Sequence, residues 1–189
     1  SITKSFVPSQ LIKADAPAFA KDVIEPVMLL KGDDIPVSKM SYDGTIPTGT
    51  SCLEKRGIAP MVPKWVAENC IQCNQCVMSC PHAVVRAKQF KKEDLAGAPA
   101  TFKTVEAKGK DKDLQYKLQV YIEDCTGCGV CIQTCPAKQK ALVFESLEDA
   151  RAAGERQNAE FFDKTSDKVP GTFTPDSVKG VGFKKPLFE

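Results

Sequence analysis

The sequence predicts an α+β fold of two similar halves, each running strand, loop, short helix, strand, with irregular connecting segments on either side. Three observations predict it. Four cysteines and a proline crowd into CIQCNQCVMSCP (residues 70–81), and the same spacing returns in CTGCGVCIQTCP (125–136), every cysteine 55 positions after its counterpart. Ahead of the second run, Leu118, Val120 and Ile122 alternate with polar residues at the period of a half-buried strand. Matching flanks, PKWVAEN and AVVRAKQF around the first run and YKLQVYIED and KALVFES around the second, make the halves pseudo-twofold.

Taken in order, residues 1–62 carry turn signals (GDDIP, YDGTIPTGT, GIAPMVP) and one helical stretch, PAFAKDVIEPVMLL, which Pro26 should cut or kink. The apolar positions are too few for a core, so this segment is expected to be a connector that wraps on something else. The opening SITKSFVPSQ shows no secretory signal and no initiator Met, which suggests a processed or excised chain. Residues 63–147 form the repeat domain. Within it, about 86–116 reads as an insertion whose AKGKDKD is a solvated loop rather than a lysine-lined docking surface. Residues 148–189 read as a helix over LEDARAAGERQNAEFF, started by a capping box of Ser146 and Asp149. An extended, Gly- and Pro-rich linker follows and is expected to lie against another surface.

Composition narrows the function. A chain of 189 residues with 42% hydrophobic and 26% charged residues is a globular balance. No apolar run approaches the roughly 20 residues needed to span a bilayer. A net charge of +2 gives no field to argue for nucleic acid or an anionic membrane. Nine cysteines, eight in two clusters, make a poor disulfide framework and point to metal.

Each run is C-x2-C-x2-C-x3-C-P, the spacing of bacterial iron–sulfur ligation, in which the fourth Cys serves the other cluster of a two-cluster ferredoxin. Three thiolates on a tight loop can reach one cube, while the helical turn that follows carries the fourth away. On that basis Cys70, Cys73, Cys76 and Cys135 bind one [4Fe–4S] cluster, and Cys125, Cys128, Cys131 and Cys80 bind the other, in a ferredoxin-like domain. Pro81 and Pro136 end the turns, and Gly127 and Gly129 let main-chain N–H groups point at sulfur. Zinc is the competing metal, but paired CxxC knuckles leave no role for the third Cys or the x3-C-P ending. His82 reads as a side chain packed beside a cluster, Cys52 as a free thiol, and Trp65 as packing on the strand before the first loop. No other catalytic set is present: there is no GxGxxG, no P-loop, and no nucleophile beside a base. The chain alone therefore reads as an electron relay, with a free-standing eight-iron carrier as the alternative.

The flanks add a resemblance. GDDIPVS, DGTIPTGTSCLEKRGIA with its Glu54-Lys55-Arg56, ENCIQCNQCVMSCPHAVVR and the closing VKGVGFKKPLFE resemble, in order, consecutive segments of pyruvate:ferredoxin (flavodoxin) oxidoreductases. The resemblance implies a fragment covering the EKR connector and the two-cluster domain of a homodimeric enzyme. That enzyme would turn pyruvate and coenzyme A into acetyl-CoA and carbon dioxide, using thiamine diphosphate, Mg²⁺ and three [4Fe–4S] clusters, with ferredoxin or flavodoxin as acceptor. The remaining catalytic domains, including the thiamine-binding domain toward which 148–189 would lead, lie outside this chain. A reducing, oxygen-poor cytoplasm or an anaerobic organelle is the implied setting.

Overall fold

The structure, a computed structural model, describes residues 11–167, 171 and 173–184. The SITKSFVPSQ segment, Lys168–Pro170 and the KPLFE ending lie outside the described residues. The rest divides into two compact units, one up to Arg56 and one from Gly57 onward.

In the first unit, the expected helical stretch forms without being cut. A π-helical turn, Ala20–Ile24, runs into α1 (Glu25–Met28) with Pro26 inside it. Pro26 has no N–H to give, and the widened turn accommodates it, the Glu25 N–H reaching back to the Ala20 carbonyl. Ile12, Ala16 and Ala20 make a small buried cluster with Leu53 and Met28 at its border. Beyond it the segment exposes Leu30, Val37, Tyr42 and Ile46, as expected of a segment too poor in apolar residues to bury its own.

The second unit holds the two halves. The first runs β1 (Met61–Trp65), the cysteine loop, α2 (Gln75–Ser79) and β2 (Val85–Phe90). The second half follows a short β3 (Val105–Glu106) and runs β4 (Gln115–Val120), the second loop, α3 (Val130–Thr134) and β5 (Leu142–Ser146). The halves exchange strands. β1 pairs antiparallel with β5, Trp65 opposite Leu142, and β2 pairs antiparallel with β4, Val85 opposite Val120. β3 adds to the free edge of β4. The insertion is thus partly sheet: β2 extends to Phe90 and β4 begins at Gln115, so only the turns between them, including the exposed Lys108–Lys110, remain loop.

Val62, Val85, Tyr116, Leu118 and Leu142, all fully or nearly buried, form the core between the sheets. Each such side chain contributes about 1.5–3 kcal/mol when removed from water. A second cluster joins Phe90 of β2 to Phe102 and Phe162 in edge-to-face pairs.

The C-terminal helix forms as two pieces. Ser146 caps α4 (Leu147–Ala152), its Oγ accepting from the Asp149 N–H at 3.0 Å. The chain then breaks at Gly154, whose φ of +84° no helix continues through, and α5 (Glu155–Lys164) follows. Lys88 of β2 reaches the end of α5, donating to the Phe162 carbonyl at 2.9 Å. Arg151 and Arg156 both clamp Glu123 just ahead of the second loop, at 2.6 and 3.0 Å. The tail is less extended than its composition suggests. Ser177 caps a short α6 (Val178–Val181), and Phe183 packs on Tyr116 and Phe173 inside the same core.

Candidate iron–sulfur site

Both cysteine loops are shaped by left-handed backbone. Gln72 and Asn74 in the first have φ of +60°, and Gly127 and Gly129, their counterparts 55 residues on, have +71° and +74°. This turn aims main-chain donors inward. The Gln72 N–H donates to the Cys70 sulfur and the Gly127 N–H to the Cys125 sulfur, each at 3.4 Å. α2 and α3 then carry Cys76 and Cys131 on their first turns. Cys80 and Cys135 stand in extended backbone just past the helix ends, with Pro81 and Pro136 next in the chain.

The expected ligands gather in two sets, and the fourth member crosses over in both. One recess is lined by Cys70, Cys73, Cys76 and Cys135, with Tyr116 and Leu118 as apolar walls. The other is lined by Cys125, Cys128, Cys131 and Cys80, beside Val84 and Pro63. Among the described residues no three His, Cys, Asp or Glu side chains converge closely enough to share a single ion. Four thiols line each recess, the donor type and number of a [4Fe–4S] cube.

The donor set also fits a cationic centre. Burial pushes the Cys131 thiol up to about 11 from its ordinary 9.0, and Cys80, Cys125 and Cys128 push in the same direction. Burial likewise raises Cys76, reinforced by Cys70 and Cys73, and also raises Cys125. Sulfurs so enclosed become thiolates when positive metal stands between them.

The two recesses are covered differently. The first is closed by residues that the spacing argument did not single out. Gln72, 1% exposed, donates to the Glu106 carbonyl at 2.8 Å and accepts from the Lys108 N–H at 2.7 Å. Asn74 accepts from the Tyr116 hydroxyl and donates to the Lys179 carbonyl, both at 2.8 Å. Insertion and tail are thereby tied over the first loop. The 55-residue register held the signal, since it sets these two amides opposite the two glycines. At the second recess Cys128 is exposed, and His82, also exposed, lies at the rim. Trp65 packs edge-on against Tyr116 at 6.0 Å. Cys52, in the first unit, is exposed and donates to the Gly49 carbonyl.

Comparison with known proteins accords with this geometry. Residues 69–139 match a family described as a 4Fe-4S dicluster domain, and residues 8–59 match the EKR family, described as a domain of unknown function. The chain is 48% identical, over 93% of its length, to the pyruvate:ferredoxin oxidoreductase of Moorella thermoacetica, and 41% identical over 92% to the pyruvate-flavodoxin oxidoreductase of Nostoc sp.. The chain is a homologue of one segment of these oxidoreductases. It spans about 15% of the length of these two relatives. It is also 41% identical over 90% of its length to the mitochondrial pyruvate dehydrogenase [NADP(+)] of Euglena gracilis, of which it spans 9%. The chain thus carries an EKR region followed by a ferredoxin-like dicluster domain of mixed helix and sheet. Among the described residues no helix is long and apolar enough to cross a membrane.

Proposed function

We propose that this chain is the electron-transfer segment of a pyruvate:ferredoxin or pyruvate-flavodoxin oxidoreductase. Cys70, Cys73, Cys76 and Cys135 hold one [4Fe–4S] cluster, and Cys125, Cys128, Cys131 and Cys80 hold the other. The observation that carries this reading is the pair of recesses, each lined by three cysteines of one run and the fourth of the other. When bound, such clusters supply one-electron oxidation and reduction at low potential.

The chain's own residues make that chemistry usable. The Gln72 and Gly127 amides donate to ligand sulfurs, which favours the more negative reduced state. Tyr116 and Leu118 keep water from the inner wall of the first recess. The swapped ligands place α2 and α3 against one another, so that the two sites are neighbours. In the whole enzyme, pyruvate and coenzyme A would yield acetyl-CoA, carbon dioxide, a proton and two electrons. Thiamine diphosphate, Mg²⁺ and a third [4Fe–4S] cluster would belong to domains outside this chain. The electrons would leave singly to ferredoxin or flavodoxin, from a homodimer in the cytoplasm or an anaerobic organelle. Residues 1–62 and 148–189 would be the connectors to the catalytic domains, with 63–147 as the relay.

Anaerobic reconstitution of the chain tests this reading. Iron and acid-labile sulfide should appear in about equal amounts, in a brown protein that bleaches on reduction. A colourless protein holding zinc would overturn it. So would a full-length enzyme that reduced its acceptor at the normal rate after replacement of Cys73 and Cys128.

A further inference from the structure

Among the described residues, two lysine ammoniums donate to main-chain carbonyls of cysteines that line the first recess, and none is seen to do so at the second. The Lys108 ammonium donates to the carbonyl of Cys70 at 2.8 Å. The Lys140 ammonium donates to the carbonyl of Cys135 at 2.7 Å, and to Gln133 at 3.1 Å. Cys70 and Cys135 come from opposite runs, yet both line the first recess. Two positive charges therefore reach the same site from two distant stretches of chain, each held on the main chain of a cysteine whose sulfur faces the recess.

The second half serves as an internal control. In the 55-residue register the counterpart of Lys140 is Val85, which is apolar and 1% exposed. The carbonyl equivalent to that of Cys135 is that of Cys80, which accepts from the neutral main-chain N–H of Ala83 at 3.3 Å. Lys108 belongs to the insertion between the two halves. The charges ahead of Cys125 are Glu123 and Asp124, and the two cations there, Arg151 and Arg156, are both bound to the Glu123 carboxylate.

We propose that Lys108 and Lys140 are positioning residues for charge that raise the reduction potential of the first cluster relative to the second. Reduction adds one electron and hence one negative charge to the cluster. A fixed cation nearby stabilises the reduced form more than the oxidised one. Both ammoniums stand at the protein edge, so their field is partly screened and grows as salt is lowered. A purely structural role is the competing explanation, because Lys140 also satisfies carbonyls at the end of α3. Such a role would affect melting without moving one potential selectively.

This inference rests on the ligand assignment above, and one experiment separates the two. The reconstituted chain is titrated anaerobically with a chemical reductant while paramagnetic resonance follows each cluster. Cys73→Ser and Cys135→Ser identify the first cluster by abolishing the same signal. If they abolish different signals, the ligand assignment fails and the inference with it. With the assignment standing, Lys108→Gln and Lys140→Gln should each disfavour reduction of the first cluster by about two- to tenfold, up to about 59 mV for one electron. The second cluster should stay in place. Lys108→Arg and Lys140→Arg should restore the potential, and the shifts should shrink at high ionic strength. Unmoved potentials, or equal movement of both clusters, in variants that melt like the parent would overturn it.

Discussion

The two cysteine loops follow the same backbone path and reach it by opposite means. In the second loop, glycines occupy the left-handed positions, and each is hemmed in. A Cβ on Gly127 would lie 3.0 Å from the Met61 carbonyl oxygen and 3.2 Å from Ala59, and one on Gly129 would lie 3.1 Å from Phe144. The first loop places Gln72 and Asn74 at those positions, where a side chain costs roughly 1–2 kcal/mol of backbone strain. Both amides are then consumed in four hydrogen bonds to the insertion, the tail and Tyr116. What covers a loop decides which residue can hold its turn. Where backbone and an aromatic ring press in, glycine avoids both the crowding and the left-handed strain; where a gap must be bridged to distant segments, an amide does the bridging and its bonds offset the strain.

The largest test of the comparison crosses the halves. Cys135→Ser, made in the second run, should remove the cluster bounded by the first loop, leaving about half the iron and the resonance signal of the second cluster. Loss of the second cluster instead would show that each loop closes on itself. Next in size is the swap Gly127→Gln. It adds left-handed strain and a clash with the Met61 carbonyl, and should destabilise the loaded chain by about 2–4 kcal/mol. A melting temperature equal to the parent's would show that the second loop has room the structure does not describe. The smallest effect is expected from Asn74→Gly. It loses two hydrogen bonds while gaining ease at φ +60°, for a net cost of about 1 kcal/mol. Hydrogen exchange should rise selectively in residues 173–183, and unchanged exchange there would mean that Asn74 does not fasten the tail.

Much of this was legible in the sequence, and the reasons are local. Cysteine spacing and the Ser146 cap each act over a few residues, so pattern alone reports them. The alternation at Leu118, Val120 and Ile122 located a strand but misread it: β4 ends at Val120, and Lys117 and Gln119 are buried like their apolar neighbours, because α5 covers that face and Glu155 accepts from Gln119 at 2.8 Å. The crossing of Cys80 and Cys135 was legible because a three-residue spacer ending in proline carries that sulfur past the helix and away from its own loop. The strand content of the insertion was not, because β3 exists only by pairing with β4, and its two residues, Val105 and Glu106, carry no period. The break at Gly154 was hidden inside a helical pattern, and its cause lies in the turn there, packed against Thr101 far away in the chain. The burial of Phe183 depended on Tyr116 being in reach, a fact of tertiary packing. Lys108 looked like solvated charge and Lys140 stood unremarked in a strand flank, and only the fold reveals which carbonyls they meet.

The exchange of one sulfur between the two runs has a consequence for biogenesis. Whichever cube is inserted first must tie Cys76 to Cys135, or Cys80 to Cys131, and so closes a long stretch of chain before its twin arrives. The entropy of that closure is then already spent when the second is built. On the proposed ligand assignment, the second cube should therefore enter more readily than the first, and neither repeat could mature if severed from its neighbour.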